Sequence, residues 1–207
     1  MVVKRRIFMP TYEFENAAME AGYTVIAGTD EAGRGPLAGP VYAAAVILPQ
    51  GLVIDGLNDS KKITEKKREK LFDVICKEAI SYGIAYATPA EIDELNILNA
   101  SQLAMRRAVA MLDPAPDMVL VDGNVARAFP MATQTVVKGD ALSMSIAAAS
   151  ILAKVSRDRV MAELAKEYPQ YQLEKHKGYP TPLHMNLVRE LGPSPIHRKT
   201  FLKFLNK

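Results

Sequence analysis

The sequence predicts an α/β protein: a mixed central sheet flanked by helices, followed by a small, basic helical extension at the C-terminus. Apolar runs of strand length recur along the chain, at residues 24–30, 41–48, 82–87, 118–121 and 134–137. The first two are joined by a glycine-rich turn, as meander strands are. The later ones are separated by helical patterns, which calls for crossover connections and hence some parallel pairing. One long run, residues 141–167, is helical in pattern and dense in alanine and serine.

Taken in order, residues 1–23 read as a loosely packed lead-in with a short helical stretch near 14–20. Residues 24–30 (TVIAGTD) form a buried strand, and the turn EAGRGPLAG follows it. The second strand, 41–48, is stopped by Pro49. Residues 51–62 are a loop, after which Thr64 caps a helix reaching about Ser81, with Leu71, Val74 and Ile75 on its apolar face. Strand 82–87 precedes two helices, 89–94 and 99–112, the second ended by Pro114 and Pro116. Strand 118–121 ends at Asp122, and strand 134–137 ends before Lys138-Gly139-Asp140. The long helix stops near Pro169, and the rest holds two short helices with prolines between them.

Composition narrows the class. Hydrophobic residues make up 49% of the chain and charged residues 24%, enough apolar matter for a real core. The longest apolar stretches are too short or too serine-broken to span a bilayer, so no membrane association is expected. The basic start, MVVKRRIFMP, is followed by polar TYEFENA and lacks the apolar segment of a signal peptide. The single cysteine, Cys76, forms no disulfide framework, which suits a reducing cytoplasm. The net charge of +3 conceals an asymmetry: residues 154–207 carry 11 Lys+Arg against 5 Asp+Glu, leaving 15 against 18 in the rest. A basic quarter beside an acidic remainder suggests a polyanion partner.

The acids fall in a pattern. Asp30 and Glu31 close the first strand, Asp122 closes a later one, and Asp140 follows another and opens the long helix. Sites in such sheets collect beyond the strand ends. Successive strand residues face opposite ways, so Asp30 and Glu31 share a site only if the strand ends there. Four gathered carboxylates need a cation, and all-oxygen ligands suit Mg²⁺ or Mn²⁺ rather than Zn²⁺. A pair of such ions is the common device for phosphodiester hydrolysis. Each acid also has an ordinary reading: Asp30 starts a turn, Asp122-Gly123 suits a hairpin, and Asp140 suits a helix N-cap.

The glycines invite a nucleotide-binding reading that the spacing rejects. From Gly33 the pattern is G-x-G-x-x-x-G, and a strand-like run follows where the dinucleotide fingerprint needs a helix. Glycines also let backbone approach a ligand, and Arg34 between Gly33 and Gly35 can reach a phosphate or sugar. Asp59-Ser60-Lys61-Lys62 offers a hydroxyl and two ammoniums for phosphates, or is simply a charged loop. Tyr179, in His176-Lys177-Gly178-Tyr179, is a stacking residue or a core residue.

These blocks together resemble the type 2 ribonucleases H, the bacterial ribonuclease HII family. The resemblance rests on DEAGRGPLAGPV from Asp30, LNDSKK from Leu57, Val121-Asp122-Gly123-Asn124, Lys138-Gly139-Asp140, SIAAASILAKV from Ser145 with Arg157-Asp158, HKGYPT from His176 and HRKTF from His197, spread in the family's order over residues 24–201. It implies a ribonuclease H-like catalytic domain over residues 1–169 with a helical extension at 170–207. It implies cleavage of RNA in RNA–DNA hybrids, and 5′ of single ribonucleotides in duplex DNA, leaving 3′-hydroxyl and 5′-phosphate ends. By the resemblance Asp30, Glu31, Asp122 and Asp140 hold two divalent ions, Mn²⁺ or Mg²⁺, with Asp30 between them. Gly33, Arg34 and Gly35 would contact the ribose 2′-hydroxyl; Tyr179 would bond it and stack on the next sugar; Ser60 and Lys61 would contact phosphate. The 2′-hydroxyl alone separates RNA from DNA, so base sequence should matter little, and binding through phosphates should weaken with salt. The small residues Ala147, Ala148, Ala149, Ser150 and Ala153 are expected only to let the long helix pack closely. The 23 residues before the first strand are too few for the extra domain of the type 3 relatives. A monomer is expected, and no Gln-x-x-aliphatic-x-x-aromatic-aromatic box is present at the C-terminus for a sliding clamp, FLKFLNK being only loosely similar. Two other readings compete: a DNA-directed nuclease of the same fold, and a non-catalytic nucleic-acid-binding subunit.

Overall fold

The computed structural model describes residues 9–58, 60 and 63–206. Its sheet has the order β3-β2-β1-β4-β5, with β1 Ile26–Ala32, β2 Val41–Ile47, β3 Ser81–Ala87, β4 Met118–Asp122 and β5 Ala132–Val136. The first three strands form an antiparallel meander, while β4 joins β1 in parallel and β5 joins β4 in parallel. The helices are α1 Glu13–Glu20, α2 Glu65–Glu78, α3 Pro89–Leu95, α4 Ile97–Val109, α5 Met144–Glu167, α6 Leu173–His176 and α7 Pro182–Leu191. The mixed, helix-flanked sheet expected from the sequence is the one observed.

The sheet has two buried faces because β2 is apolar at every parity. Val41, Ala43, Ala45 and Ile47 face α3 and α4, packing with Ile92, Ala104, Met105 and Ala108. Ala44 and Val46 face the other way, onto Leu71 and Ile75 of α2 and the alanines of α5. This explains why β2 reads as a continuous apolar run rather than an alternating one.

Helix α5 is pressed against β1. A Cβ on Gly28 would lie 2.4 Å from the backbone of Ser145 and Ile146, so only glycine permits that approach. The start of α5 is held by its N-cap Ser143, whose side chain accepts from Ile146 N at 3.2 Å. Glu15 supports it from α1, its Oε1 accepting from Ser143 Oγ, Ser145 N and Ser145 Oγ at 2.7, 3.0 and 2.6 Å. A carboxylate there also complements the positive end of the helix dipole.

Several boundaries differ from the sequence reading. The first strand runs Ile26–Ala32 rather than 24–30, because β2 pairs with it as far as Ala32↔Tyr42. Thr24 and Val25 instead donate to the Asp117 carboxylate at 2.8–3.0 Å. The long helix begins at Met144, not 141. Residues 9–23 are not loosely packed: Thr11 bridges to Leu142 and Met144, and Tyr12 Oη donates to Leu52 O at 2.8 Å. Residues 1–8 of the expected lead-in lie outside the described residues.

The C-terminal segment packs on the sheet domain through one apolar cluster. Tyr171, Leu173, Val188, Ile196 and Leu202 meet Leu37 and Ala38 of the glycine-rich loop and Met161 of α5. No helix among the described residues is long and apolar enough to cross a membrane.

Gly28→Ala should destabilise the fold by about 3 kcal/mol, the upper range for overpacking, since backbone rather than a movable side chain opposes the methyl. Gly22→Ala, with open space around a φ of +98°, should cost only about 1 kcal/mol. Urea unfolding midpoints of the two variants check the difference.

Candidate active site

Register and parity bring Asp30 and Asp122 together. Gly28 of β1 lies beside Leu120 of β4, and Thr29 beside Val121, in parallel register. One step further, Asp30 and Asp122 share the α5 side of the sheet. β4 pairs with β1 no further than Val121, while β2 accompanies β1 to Ala32, so Asp30 and Glu31 project where one neighbour has stopped. The strand therefore does not end at Asp30, as the sequence reading required; it loses one partner there.

Asp30 is 5% exposed. Burial, and then the charges of Glu31 and Asp122, push its pKa well above the ordinary carboxylate range, against a hydrogen bond from Ser150 and another from Glu31 N at 2.6 Å. Glu31 is paired with Arg34 at 3.3 Å.

Asp122 does not start a hairpin, because β4 and β5 are parallel. Its Oδ1 accepts from Gly139 N at 2.7 Å and Asp140 N at 3.4 Å. These amides belong to a short 3-10 turn, Gly139–Ala141, reached through Lys138 at φ +59°. A Cβ on Gly139 would lie 2.6 Å from Ile146 Cδ1 and 3.2 Å from Asp122 Oδ1, so the turn needs glycine there. Asp140, 7% exposed, lies in this turn beside Asp122 and is not the cap of α5.

The loop leaving β1 rests on two buried arginines, 1% and 0% exposed. Arg198 donates to the carbonyls of Gly33, Arg34 and Gly39 at 2.7, 2.9 and 2.9 Å. Arg157 donates to those of Ala38, Pro40 and Lys177 at 3.3, 3.2 and 3.2 Å. Gly33 takes φ +100°, and a Cβ there would lie 2.0 Å from Arg157 Nε.

A pocket of about 240 Å³ opens between loop and acids, lined by Asp30, Glu31, Gly33, Arg34, Gly35, Ser60, Ser150, Lys154 and Tyr179 among others. Tyr179 is 41% exposed, on the rim facing Gly35, with the Arg157 guanidinium 5.7 Å from its ring centroid. Ser60 is buried, its Oγ 2.9 Å from Ser150 Oγ.

The structure thus brings Asp30, Glu31, Gly33, Arg34, Gly35, Ser60 and Tyr179 to one pocket, with Asp122 adjoining Asp30 and Asp140 adjoining Asp122. Lys61 lies outside the described residues. Among the described residues no three of the acidic, histidine or cysteine side chains form a ready metal-ligand cluster. Asp122 is turned to the amides of Gly139 and Asp140, and Glu31 to Arg34. Asp30, whose proton affinity Glu31 and Asp122 raise, still fits a cation by its chemistry.

Sequence reasoning missed Ser150, Lys154, Arg157 and Arg198. Ser150 does more than allow close packing, since it touches Asp30 and Ser60. Residues 150, 154, 157 and 158 recur at helical spacing, and that single polar face on an apolar helix was the signal available. Lys154 is held by Asp158 at 2.6 Å, and Asp158 also meets Lys177 at 3.1 Å.

A meander of three strands extended by two parallel ones, with acids where β1 and β4 part, is the architecture of the ribonucleases H. The ribonuclease H2 of Pyrococcus horikoshii OT3 superposes with a TM-score of 0.73 at 27% identity, covering 89% of this chain and 100% of that one. The Archaeoglobus fulgidus ribonuclease HII, solved as a complex with PCNA, shares the fold with a TM-score of 0.71 at 24% identity, over 85% and 94% of the two chains. A family model described as Ribonuclease HII matches residues 27–204. A ribonuclease HII from Marinomonas sp. (strain MWYL1) is 60% identical over 178 residues, spanning 86% of this chain and 89% of that protein. The chain belongs to the ribonuclease HII family and, with it, to the ribonuclease H hydrolases.

Arg198→Met should lower stability by about 3 kcal/mol, because three loop carbonyls lose their donors. Arg198→Lys should not restore it, since one ammonium cannot replace the planar fork. Equilibrium unfolding of both variants checks this.

Proposed function

We propose that the chain is an endonuclease that hydrolyses the RNA strand of RNA–DNA hybrids and cuts 5′ of single ribonucleotides in duplex DNA, leaving 3′-hydroxyl and 5′-phosphate ends. The observation that carries the reading is one pocket shared by the Asp30–Glu31 pair and by Gly33, Arg34, Gly35 and Tyr179. Acids alone would suit any phosphodiester. A half-exposed tyrosine facing a loop whose backbone is pinned from below suits the recognition of one sugar hydroxyl.

In this reading Asp30, Glu31, Asp122 and Asp140 hold two divalent ions, Mn²⁺ or Mg²⁺. When bound, such ions activate water and neutralise the leaving oxygen. The chain's own residues do the rest. Asp30 is kept in place by Ser150 and the Glu31 amide, and Asp122 by the amides of residues 139 and 140. The pinned loop presents Gly33, Arg34 and Gly35 to the 2′-hydroxyl, and Tyr179 closes the far side against the neighbouring sugar. Ser60 and Lys61 take the phosphate. The exposed Lys175, Arg189, Lys199 and Lys203 of the extension at 170–207 hold the duplex through its backbone. The extension's terminal apolar residues Phe204 and Leu205 pack onto their own cluster, which argues against their use as a clamp-binding peptide.

The deciding assay incubates the protein with a duplex carrying one ribonucleotide, with Mn²⁺ or Mg²⁺, and maps the cut; equal cutting of an all-DNA control would refute the proposal. Asp30→Asn should reduce cleavage on the order of 10³-fold or more, with duplex binding in a gel-shift assay largely intact. Tyr179→Ala should impair cutting at single ribonucleotides more than on long hybrids, which compared kcat/KM values would show.

A further inference from the structure

The chain's three histidines, His176, His184 and His197, are all buried and lie outside the proposed catalytic machinery. His176 and His184 stack with ring centroids 4.2 Å apart, and His184 and His197 lie 5.2 Å apart. Their hydrogen bonds fix which nitrogen carries the proton, because backbone amides only donate and carbonyls only accept.

His176 Nε2 lies 2.9 Å from the Tyr171 carbonyl and must donate; its Nδ1 receives Gly178 N at 3.2 Å. His197 Nδ1 receives Ser194 N at 3.1 Å, so its proton is on Nε2. That proton faces His184 Nε2 at 3.1 Å. His184 therefore accepts at Nε2 and donates from Nδ1 to the Tyr179 carbonyl, 3.0 Å away. The chain runs one way, from Ser194 through His197 and His184 to Tyr179, and it closes only if every ring is neutral. A second proton on any ring would set two donors face to face.

The Tyr179 carbonyl is held by this cluster, and its amide by the main chain of His176. Tyr179 N donates to the His176 carbonyl at 2.9 Å, and the Tyr179 carbonyl receives His184 Nδ1. The approach to Tyr179 is a strained turn, with Lys177 at φ +48° and Gly178 at φ +83°. Such a turn persists only where its surroundings over-determine it.

We propose that His197 and His184 form a directional, neutral hydrogen-bond relay, with His176 stacked on it and holding the Gly178 amide, that positions Tyr179 and thereby sets the preference for single ribonucleotides over long hybrids. They are positioning residues that act through the Tyr179 backbone, and the inference rests on the role given to Tyr179 above.

The electrostatics agree. Burial lowers the pKa of all three, that of His197 to about 4 with His184 as the second cause. Among the described residues the charged or titratable groups acting on them are Glu174 on His176, His176 on His184, and His184 and His176 on His197. The Tyr171 ring edge also packs on His197 at 4.8 Å. The sign follows: the unfolded chain takes up protons below about pH 6.5 while the folded relay refuses them, so acid weakens the relay from pH 6.5 downward, towards about 4 for His197.

Two measurements test this. With only three histidines, ¹⁵N-labelled protein gives a simple imidazole spectrum. At pH 7 it should show three neutral rings, protonated at Nε2 in His176 and His197 and at Nδ1 in His184; a charged ring or another tautomer overturns the relay. The second is the ratio of kcat/KM on a single-ribonucleotide duplex to that on a long hybrid, which cancels losses common to both substrates. Tyr179→Phe and Tyr179→Ala first establish that the ratio reports on Tyr179; if neither moves it, the reading of Tyr179 fails. If they do, His184→Leu should lower the ratio about tenfold, the worth of one such hydrogen bond. His184→Asn, whose amide can still donate to the Tyr179 carbonyl, should recover most of it. Equal losses on both substrates, or no recovery with asparagine, would mean the histidines are only core. Should His184→Leu fail to fold, His197→Leu, which removes the donor towards His184, is read in the same way.

Discussion

Arg157 and Arg198 reach beneath the loop that leaves β1 and donate to carbonyls along residues 33–40. That loop carries its polar backbone into the interior, where unpaired carbonyls are costly. The guanidinium is the one side chain with enough donors, in a fixed fork, to satisfy several carbonyls at once. The two groups sit close enough to depress the Arg198 pKa, after burial has already done so. What holds two like charges there is the ring of carbonyl dipoles around them. Remove either arginine and the loop loses its shape, and with it the wall of the pocket opposite Asp30.

The same interaction reassigns charge along the sequence. The C-terminal quarter is basic, but Arg157 and Arg198 face inward, and Lys154 and Lys177 are engaged by Asp158. The surface positive charge is therefore smaller than composition suggests, and falls to residues such as Lys175, Lys199 and Lys203. Part of what looked like a polyanion-binding surface is scaffold. On the acidic side the logic is opposite. Asp30 sits among carboxylates that disfavour its ionisation, and its retained partners are one hydroxyl and one amide. Such a group is poised for a cation.

The sheet was legible because its strands are apolar runs bounded by glycine and proline, and because a meander followed by helix-linked strands predicts mixed pairing. The four acids were legible singly; the approach of Asp122 to Asp30 was not, since it depends on the register of β4 against β1 and on where that pairing stops. No sequence pattern reports the end of a ladder. Asp140 looked like a helix cap because a short turn before Ser143 cannot be distinguished from the first turn of a helix. Arg157 and Arg198, separated by 41 positions, looked like surface charges, since their partners are main-chain carbonyls that carry no sequence signature. Ser150 read as one more small residue in an alanine-rich helix; its hydroxyl mattered only once Ser60 and Asp30 were placed beside it.

Loop, tyrosine and tail form one mechanical unit although they come from distant parts of the chain. Leu37 N bonds the Gly178 carbonyl at 2.8 Å, and Gly39 N bonds the Ile196 carbonyl at 2.9 Å. A Cβ on Gly178 would lie 2.6 Å from the Ala38 carbonyl. The strand-end loop and the segment bearing Tyr179 therefore cannot move independently. Arg157 strengthens the link, donating to Lys177 on one side and to the loop on the other while lying against the Tyr179 ring. Under the proposed function, a fixed spacing between tyrosine and loop is what the sensing of one hydroxyl would demand, since a gap that varied by an ångström would blur ribose and deoxyribose. The C-terminal segment is thus part of the pocket's own wall, with its buried histidines and arginine packed behind it.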